Sequence, residues 1–512
     1  MSNQSETKNT SVVIKGASIT FVGMIYQLLM SFISGIIITR TIGADSYGVF
    51  SITRTLAEIF TVFTKLGFDI GLVRFFGEKS ALEHKQNNAH FLKLVLVTVA
   101  LLSIVPVIII WLGGGQKLEE YVYQYEGFSN VIMVMVLLIP LISLVQVMSG
   151  AFRGVLNIKP RVYGELFIQP TIRLCLILVL FYFGWQLWSV VVGTVASFFM
   201  VLMYFLFLTN KYFFRFIKNN NNLNSQNLYK ELIRVGKYSM VISFTMAVAM
   251  LLIRVDVIML GYFVSSDKVG QYVVIQMIVG LIVFVNAALN QMVAPMLSRL
   301  YKENNTEEMR RLIRQHTRWV MVASVPLFVL LAQYGIHIMT IFGEDFAIET
   351  LALPILAFSQ LLVAVFSSAG FMLSMTGSHR LEFYTMSSAL ICNVILNYFL
   401  IQEMGITGAA LSTLISVILA NSMRMYQVSK KFGFYPADKI VLYPFLLGVV
   451  IMYVLLSLNS SIILLTGLYE KLIISFLFIL IYTLSIYNFC LINEDKVLVN
   501  KLVNKILCRR VR

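Results

Sequence analysis

The sequence predicts an all-α polytopic membrane protein of about fourteen transmembrane helices. Three observations predict it: composition, a succession of long apolar runs, and the placement of basic residues. Hydrophobic residues fill 58% of the 512 positions and charged ones only 13%, with a mean hydropathy of +0.82. A water-soluble domain carries about 25% charged residues, so this chain could not keep a wettable surface. The 9 prolines and 30 glycines are too few for a disordered or fibrous protein.

A helix needs about 20 mainly apolar residues to cross about 30 Å of hydrocarbon. Such runs lie near 17–39, 47–72, 91–112, 131–152, 162–184, 187–208 and 238–261. Seven more follow near 271–293, 318–342, 351–376, 382–402, 405–428, 440–457 and 472–491. The second run carries charges and the thirteenth is short. The polar stretch Met1 to Gly16 precedes an apolar run with no small-residue cleavage site, which reads as a retained first span.

Basic residues orient the chain. With the N-terminus inside, the inside loops collect Arg74, Lys79, Arg153, Lys159, Lys211, Arg215, Lys230, Arg299, Arg310 and Arg311, and the tail ends in Lys505, Arg509, Arg510 and Arg512. The outside loops hold Arg40, Lys117, Lys268 and Lys471. The expected location is the cell membrane, with both termini cytoplasmic. The net charge of +15 is therefore a topology signal, with some attraction to anionic membrane lipids, and no nucleic-acid partner is expected. Cys175, Cys392, Cys490 and Cys508 form no C-x-x-C pair, so neither a disulfide framework nor a metal site is expected.

Two stretches echo each other about 220 residues apart, a period of the kind that marks duplicated architectures. Gly43, Tyr47 and Gly48 before the second span are matched by Gly261, Gly270 and Tyr272 before the eighth, and Gly184 by Gly405. Six spans per unit give two pseudo-symmetric lobes of parallel topology. The expected division is an N-terminal six-helix lobe over 1–210, a cytoplasmic linker over 211–236 that includes Asn219 to Asn224, and a C-terminal six-helix lobe over 237–430. Two extra helices and a basic cytoplasmic tail occupy 431–512.

Ionisable groups inside a span are costly and by default face a protein interior or a wet cavity. In the second span Arg54, Glu58, Thr61 and Lys65 share one face within about 60°. Arg54 and Glu58, four apart, can also simply neutralise each other. Lys65 has no partner in the stripe before Asp69. Arg254 and Asp256 in the seventh span lie about 200° apart, so one points to the cavity and the other is tied to a neighbouring helix. In the fifth span Arg161, Glu165, Gln169 and Arg173 follow a four-residue step, with Arg173 deepest. Asn286 with Asn290, and Asn393 with Asn397, suit interhelical hydrogen bonds. Cations in a central cavity suit an anionic substrate, because Arg grips phosphate oxygens bidentately.

Motifs for chemistry are missing. The chain has no Gly-x-x-x-x-Gly-Lys-Ser/Thr loop, no His-Glu-x-x-His and no Gly-x-Ser-x-Gly elbow. Of its five histidines, His84, His90, His316 and His379 are expected in loops and His337 near the end of the ninth span. The longest outside loop, Gly113 to Asn130, is small for a catalytic domain. A carrier without a cofactor is favoured over an enzyme.

Three stretches resemble the polysaccharide-transporter branch of the multidrug/oligosaccharidyl-lipid/polysaccharide exporter superfamily, the branch of the Wzx-like oligosaccharide-lipid flippases. They are Ile42-Gly43 through Tyr47-Gly48-Val49-Phe50, then Phe152-Arg153-Gly154, and then Met375-Thr376-Gly377 through Asn393 and Asn397 into Gly405-Ile406-Thr407-Gly408 and Phe434-Tyr435-Pro436. Asp256 with Gly261 also fits. The resemblance implies two six-helix lobes around a central cavity that opens alternately to each side. It implies as cargo an anionic lipid-linked oligosaccharide, a polyprenyl-pyrophosphate conjugate, and as partners membrane lipids and other polysaccharide-assembly proteins. It gives Arg54, Lys65 and Arg254 a substrate-binding role, with Arg173 beside them, and makes Glu58 and Asp256 candidates for ion or proton coupling.

Five alternatives stay open, one of them a non-transporting scaffold, because degenerate transporters keep their helices. A peptidoglycan-precursor flippase shares the architecture and the anionic lipid. A cation-coupled drug exporter calls for an acidic cavity, which the stripe Arg54–Lys65 disfavours. A facilitator-type permease would need a Gly-x-x-x-Asp-Arg loop, where Phe76-Gly77-Glu78-Lys79-Ser80 stands instead. A membrane polymerase or ligase would need a large outer loop rich in Arg, His or Glu.

Overall fold

The computed structural model describes residues 2–78, 85–216, 225–347, 351–437, 441–459, 468–490 and 495–496, and among them the chain is helical almost throughout, with no strand. The principal helices begin with α1 (Ser2–Thr64), α2 (Phe68–Glu78), α3 (Lys85–Ile109), α4 (Phe128–Met135), α5 (Leu138–Gly154), α6 (Gln169–Tyr182) and α7 (Gln186–Tyr212). They continue with α8 (Ser225–Phe263), α9 (Ser266–Lys302), α10 (Thr306–Met339), α11 (Ala352–Met375), α12 (His379–Met404), α13 (Ile406–Phe432), α14 (Leu442–Leu458) and α15 (Leu468–Ser485). Asn219 to Asn224, Lys79, His84 and the tail from 497 onward lie outside the described residues.

Twelve helical stretches among the described residues are long and apolar enough to cross a bilayer. The first, Ser18–Gly77, spans 60 residues, about 90 Å of helix and too long for one pass. It divides at Gly43, whose backbone (φ 75, ψ 175) is not helical. A positive φ costs glycine nothing and other residues dearly, so this position ends one pass and starts the next. Adding Leu442–Leu458, apolar but shorter, brings the passes to about fourteen.

Two compact units carry these helices. One comprises Met1–Val274, Met339–Ile348 and Leu390–Ser412. Its core joins Phe68, Leu72 and Phe76 of α2, Phe91 and Val95 of α3, Met148 and Phe152 of α5, and Phe205 of α7. The rings of Phe75 and Phe91 pack tilted with centroids 4.3 Å apart, and Phe152 meets Phe213 edge-on at 5.4 Å. Lipid is as apolar as these side chains, so close packing rather than water exclusion holds such helices together. The other unit comprises Ile275–Ile338, Glu349–Ala389 and Thr413–Arg512. There Val325, Leu361, Met452, Phe478 and Tyr482 join α10, α11, α14 and α15. A buried Arg424–Glu382 pair at 2.6 Å ties α13 to α12.

The stretch Gly113 to Asn130 is not the long loop expected. Helix α3 continues through a π-helical turn at Ile110–Gly114 and short helical pieces to Tyr123, so only a brief turn remains before α4. Gly113 and Gly114 are absorbed by the wide π turn, with Gly113 at φ 106. Glu119 then caps α4, accepting from the N–H groups of Gly127 (3.1 Å) and Ser129 (2.6 Å). The Tyr125 hydroxyl reaches the carbonyls of Gly261 (2.7 Å) and Val264 (2.6 Å), and burial pushes its pKa above the ordinary phenol value. The histidines also differ from expectation: His90 and His316 lie inside α3 and α10, and His379 begins α12, because these helices outrun the hydrocarbon-length runs.

Candidate functional site

Arg54 and Glu58 stand one turn apart on the second half of α1, and their pairing follows from that spacing. Arg54 Nε donates to Glu58 Oε1 at 2.8 Å. Arg254, from α8, donates through Nη2 to the other carboxylate oxygen, Oε2, at 2.9 Å. One carboxylate thus bridges two guanidiniums from different helices. The two arginine side chains are 33% and 31% exposed, the glutamate 16%.

Arg173 joins this group from α6. Its Nη2 donates to Ser34 Oγ at 2.7 Å, the guanidinium is buried, and Arg54, Tyr47 and Glu58 are all within its electrostatic reach. Tyr47, about two turns before Arg54, feels Arg54, Arg173 and Arg254 and bonds Ser51. The Nε atoms of Arg173 and Arg254 are buried and have no hydrogen-bond partner. A buried donor left unpaired costs about 1–3 kcal/mol, a penalty that an anion placed here would remove. Three guanidiniums against one carboxylate leave the group net positive.

Lys65 lies elsewhere. The expected continuous second span breaks after Thr64, at a turn where Leu66 (φ 48) and Gly67 (φ 70) are left-handed. Lys65 sits in that turn and donates to Asp69 Oδ2 (3.0 Å) and Gln146 Oε1 (2.8 Å). Asp69, in the first turn of α2, is the partner that the stripe itself did not offer. Eleven residues separate Lys65 from Arg54, about 16 Å along a helix.

Asp256 is also apart from the arginines, as its position two residues after Arg254 requires. It is 2% exposed and accepts from the Tyr272 hydroxyl (2.8 Å) and from Asn397 Nδ2 (2.7 Å). Asn397 donates in addition to Asn393 Oδ1 at 3.0 Å. Asn286 accepts from Asn290 at 3.0 Å and from Ser367 of α11 at 2.8 Å. Both amide pairs therefore make the interhelical bonds that their spacing suits. Arg161 and Glu165 form a longer pair at 3.7 Å, beside a π-helical segment, Val162–Ile168, that shifts the register of the four-residue step before Arg173.

Residues 13–301, more than half of the chain, match the family described as polysaccharide biosynthesis protein. The chain belongs to that family. A second match, to the MatE family, covers residues 241–399. Together they place the chain in the polysaccharide-transporter branch of the multidrug/oligosaccharidyl-lipid/polysaccharide exporter superfamily. It is 23% identical to an uncharacterized membrane protein of Methanocaldococcus jannaschii, over 77% of this chain and 92% of that one. It is 26% identical to a probable low-salt glycan biosynthesis flippase of Haloferax volcanii, over 34% of this chain and only 37% of that protein. Its fold is shared with the lipid II flippase MurJ in an inward closed conformation, with a TM-score of 0.71 and 15% identity, over 93% of this chain and 99% of that one.

Within this family member, sequence reasoning missed the polar partners: Ser34 of Arg173, Gln146 of Lys65 and Tyr272 of Asp256. No periodicity ties residues so far apart in the chain. The only trace in the sequence was a hydroxyl or amide in an otherwise apolar span, which on its own points nowhere.

Proposed function

We propose that this protein is a flippase that carries a polyprenyl-pyrophosphate-linked oligosaccharide across the cell membrane by alternating access, for surface polysaccharide synthesis. The observation that carries the reading is the group of Arg54, Arg254 and Arg173, net positive and holding buried donors that lack partners. A pyrophosphate cannot cross hydrocarbon alone, since an unpaired charge in an apolar medium costs tens of kcal/mol. Guanidiniums offer it bidentate bonds while the polyprenyl tail stays in lipid. Lys65, further along the same pass, is a second cationic station. The glycan flippase of Haloferax volcanii among the relatives supports the cargo class.

In this reading the protein is a carrier and no enzyme, both termini are cytoplasmic, and the chain divides into the two six-helix lobes that the repeat implies. Its partners are membrane lipids and other polysaccharide-assembly proteins. Glu58 and Asp256 are the coupling candidates, Asp256 as a buried carboxylate held by Tyr272 and Asn397. A peptidoglycan precursor is the second reading of the cargo, favoured by the fold shared with MurJ.

The test uses purified protein in liposomes carrying a fluorescent polyprenyl-pyrophosphate oligosaccharide, with a membrane-impermeant quencher outside. Protein-dependent acceleration that Arg54→Ala removes is the expected result. No acceleration with several glycans, together with proton-driven efflux of a cationic dye, would replace the reading with a drug exporter.

A further inference from the structure

Among the described residues, the carboxylate bonded to these arginines, that of Glu58, is as informative as the arginines. Glu58 spends both its carboxylate oxygens on them, Oε1 on Arg54 at 2.8 Å and Oε2 on Arg254 at 2.9 Å. It is the less exposed member of both pairs. A carboxylate with one oxygen on each of two guanidiniums makes the same bonds that a bridging phosphate would make.

We propose that Glu58 is a resident counter-ion that competes with the cargo for Arg54 and Arg254. It thereby keeps singly charged membrane phospholipids out of the site and allows a bound pyrophosphate to leave. The inference rests on the flippase reading and assigns the specificity of that same site.

The physical argument starts from abundance. A cationic site open to a bilayer meets phosphodiester headgroups at far higher concentration than any lipid-linked precursor. A phosphodiester brings one charge and two free oxygens, no more than the resident carboxylate already supplies to Arg54 and Arg254, so it gains nothing by displacing Glu58. A pyrophosphate diester brings two charges and two phosphate groups. It can take Arg54 and Arg254 together and reach the unpartnered Nε of Arg173 or Arg254. Each anion has to overcome the same competition, so Glu58 sets a threshold that only the stronger ligand passes. After translocation the carboxylate recaptures the guanidiniums and helps to expel the cargo. A transporter gains nothing from binding its cargo so tightly that it cannot release it, and here one carboxylate prevents that.

The experiment uses the full-length protein in nanodiscs with a prenyl pyrophosphate as probe, in wild type and Glu58→Gln, and adds phosphatidylglycerol to the disc as competitor. Glu58→Gln is expected to bind the probe at least about tenfold tighter. It should flip cargo more slowly at saturation and become sensitive to phosphatidylglycerol where wild type is not. A residue that merely props up the arginines would give the opposite sign, with weaker binding. Unchanged or weaker binding in Glu58→Gln, with normal binding by wild type, overturns this inference and leaves the flippase reading intact. Failure of wild type to bind the probe overturns both. Should Glu58→Gln not fold, Glu58→Asp keeps the charge but is too short to span both guanidiniums. It is expected to tighten binding by a smaller factor, and no tightening again counts against the proposal.

Discussion

Arg54, Glu58 and Arg254 show what side-chain spacing reveals and where it stops. The four-residue step made the Arg54–Glu58 pair readable, and the two-residue step put Arg254 and Asp256 on opposite sides of their helix, as the structure has them. That Glu58 would serve two arginines was not readable, because nothing in the sequence relates residue 58 to residue 254. Arg54→Ala and Arg254→Ala are each expected to lower the flipping rate at least about tenfold, the loss of a charge-assisted bond. Both should still insert into the membrane, and normal flipping by both in the liposome assay would remove them from the site. Asp256→Ala has a different outcome. It removes an acceptor that the Tyr272 hydroxyl and the Asn397 amide share in a buried setting, so a thermal midpoint lowered by about 1–3 kcal/mol of lost stability is expected. Asp256→Asn keeps most of these bonds, and as a coupling site it should flip cargo without responding to a collapsed ion gradient. Tyr125 tests stability against pH. Its raised pKa means that the bonds to Gly261 and Val264 contribute fully below about pH 10, the unfolded value, and are lost as pH rises through the folded one. Tyr125→Phe should therefore melt lower than wild type near neutral pH, and the gap should close in strong alkali.

At the scale of helices, apolar run length located the passes well, because hydrocarbon thickness dictates it. Helix ends were less legible, since these helices continue into the headgroup region and beyond, as α3 does to Tyr123. The break after Thr64 was missed because Lys65-Leu66-Gly67 sits between apolar stretches with no proline to announce it. The echo of Gly48 in Gly270 has a steric reason. A Cβ on Gly48 would collide with the Ser266 carbonyl, and one on Gly270 with the Ala44 carbonyl. Helices α1 and α9 therefore cross backbone to backbone, as small residues permit in membranes. Beside the crossing, Ser266 donates to Asp45, and Gln271 donates to the Asp345 carbonyl at 2.8 Å. Gly270→Leu should force α1 and α9 apart at a cost of about 1–3 kcal/mol. The expected readout is a lowered melting midpoint in detergent, with Gly280→Leu as control because a Cβ there meets nothing within 4 Å. Equal midpoints for the two variants would mean that the crossing gives way freely.

For the whole molecule, orientation depends on whether α14 crosses the bilayer. Its 17 residues span about 26 Å, less than the roughly 30 Å of hydrocarbon. The deficit costs a fraction of a kcal/mol per Å through local thinning, small beside the transfer energy of so apolar a segment. Its packing agrees, with Met452 buried against α10, α11 and α15 rather than lying along a surface. If α14 crosses, the number of passes is even and the two ends of the chain share a side. The excess of Lys and Arg then predicts that side to be the cytoplasmic one. A green fluorescent fusion after residue 496 should then fluoresce, and alkaline phosphatase inserted at Ser265, between α8 and α9, should be active outside. A dark C-terminal fusion with an active phosphatase would mean that α14 does not cross and α15 leaves the chain outside. A dark fusion with an inactive phosphatase would invert the whole chain. That result would place the charge-rich helix ends, Arg299 and Arg310 among them, on the outer face, where the positive-inside rule leaves them unexplained.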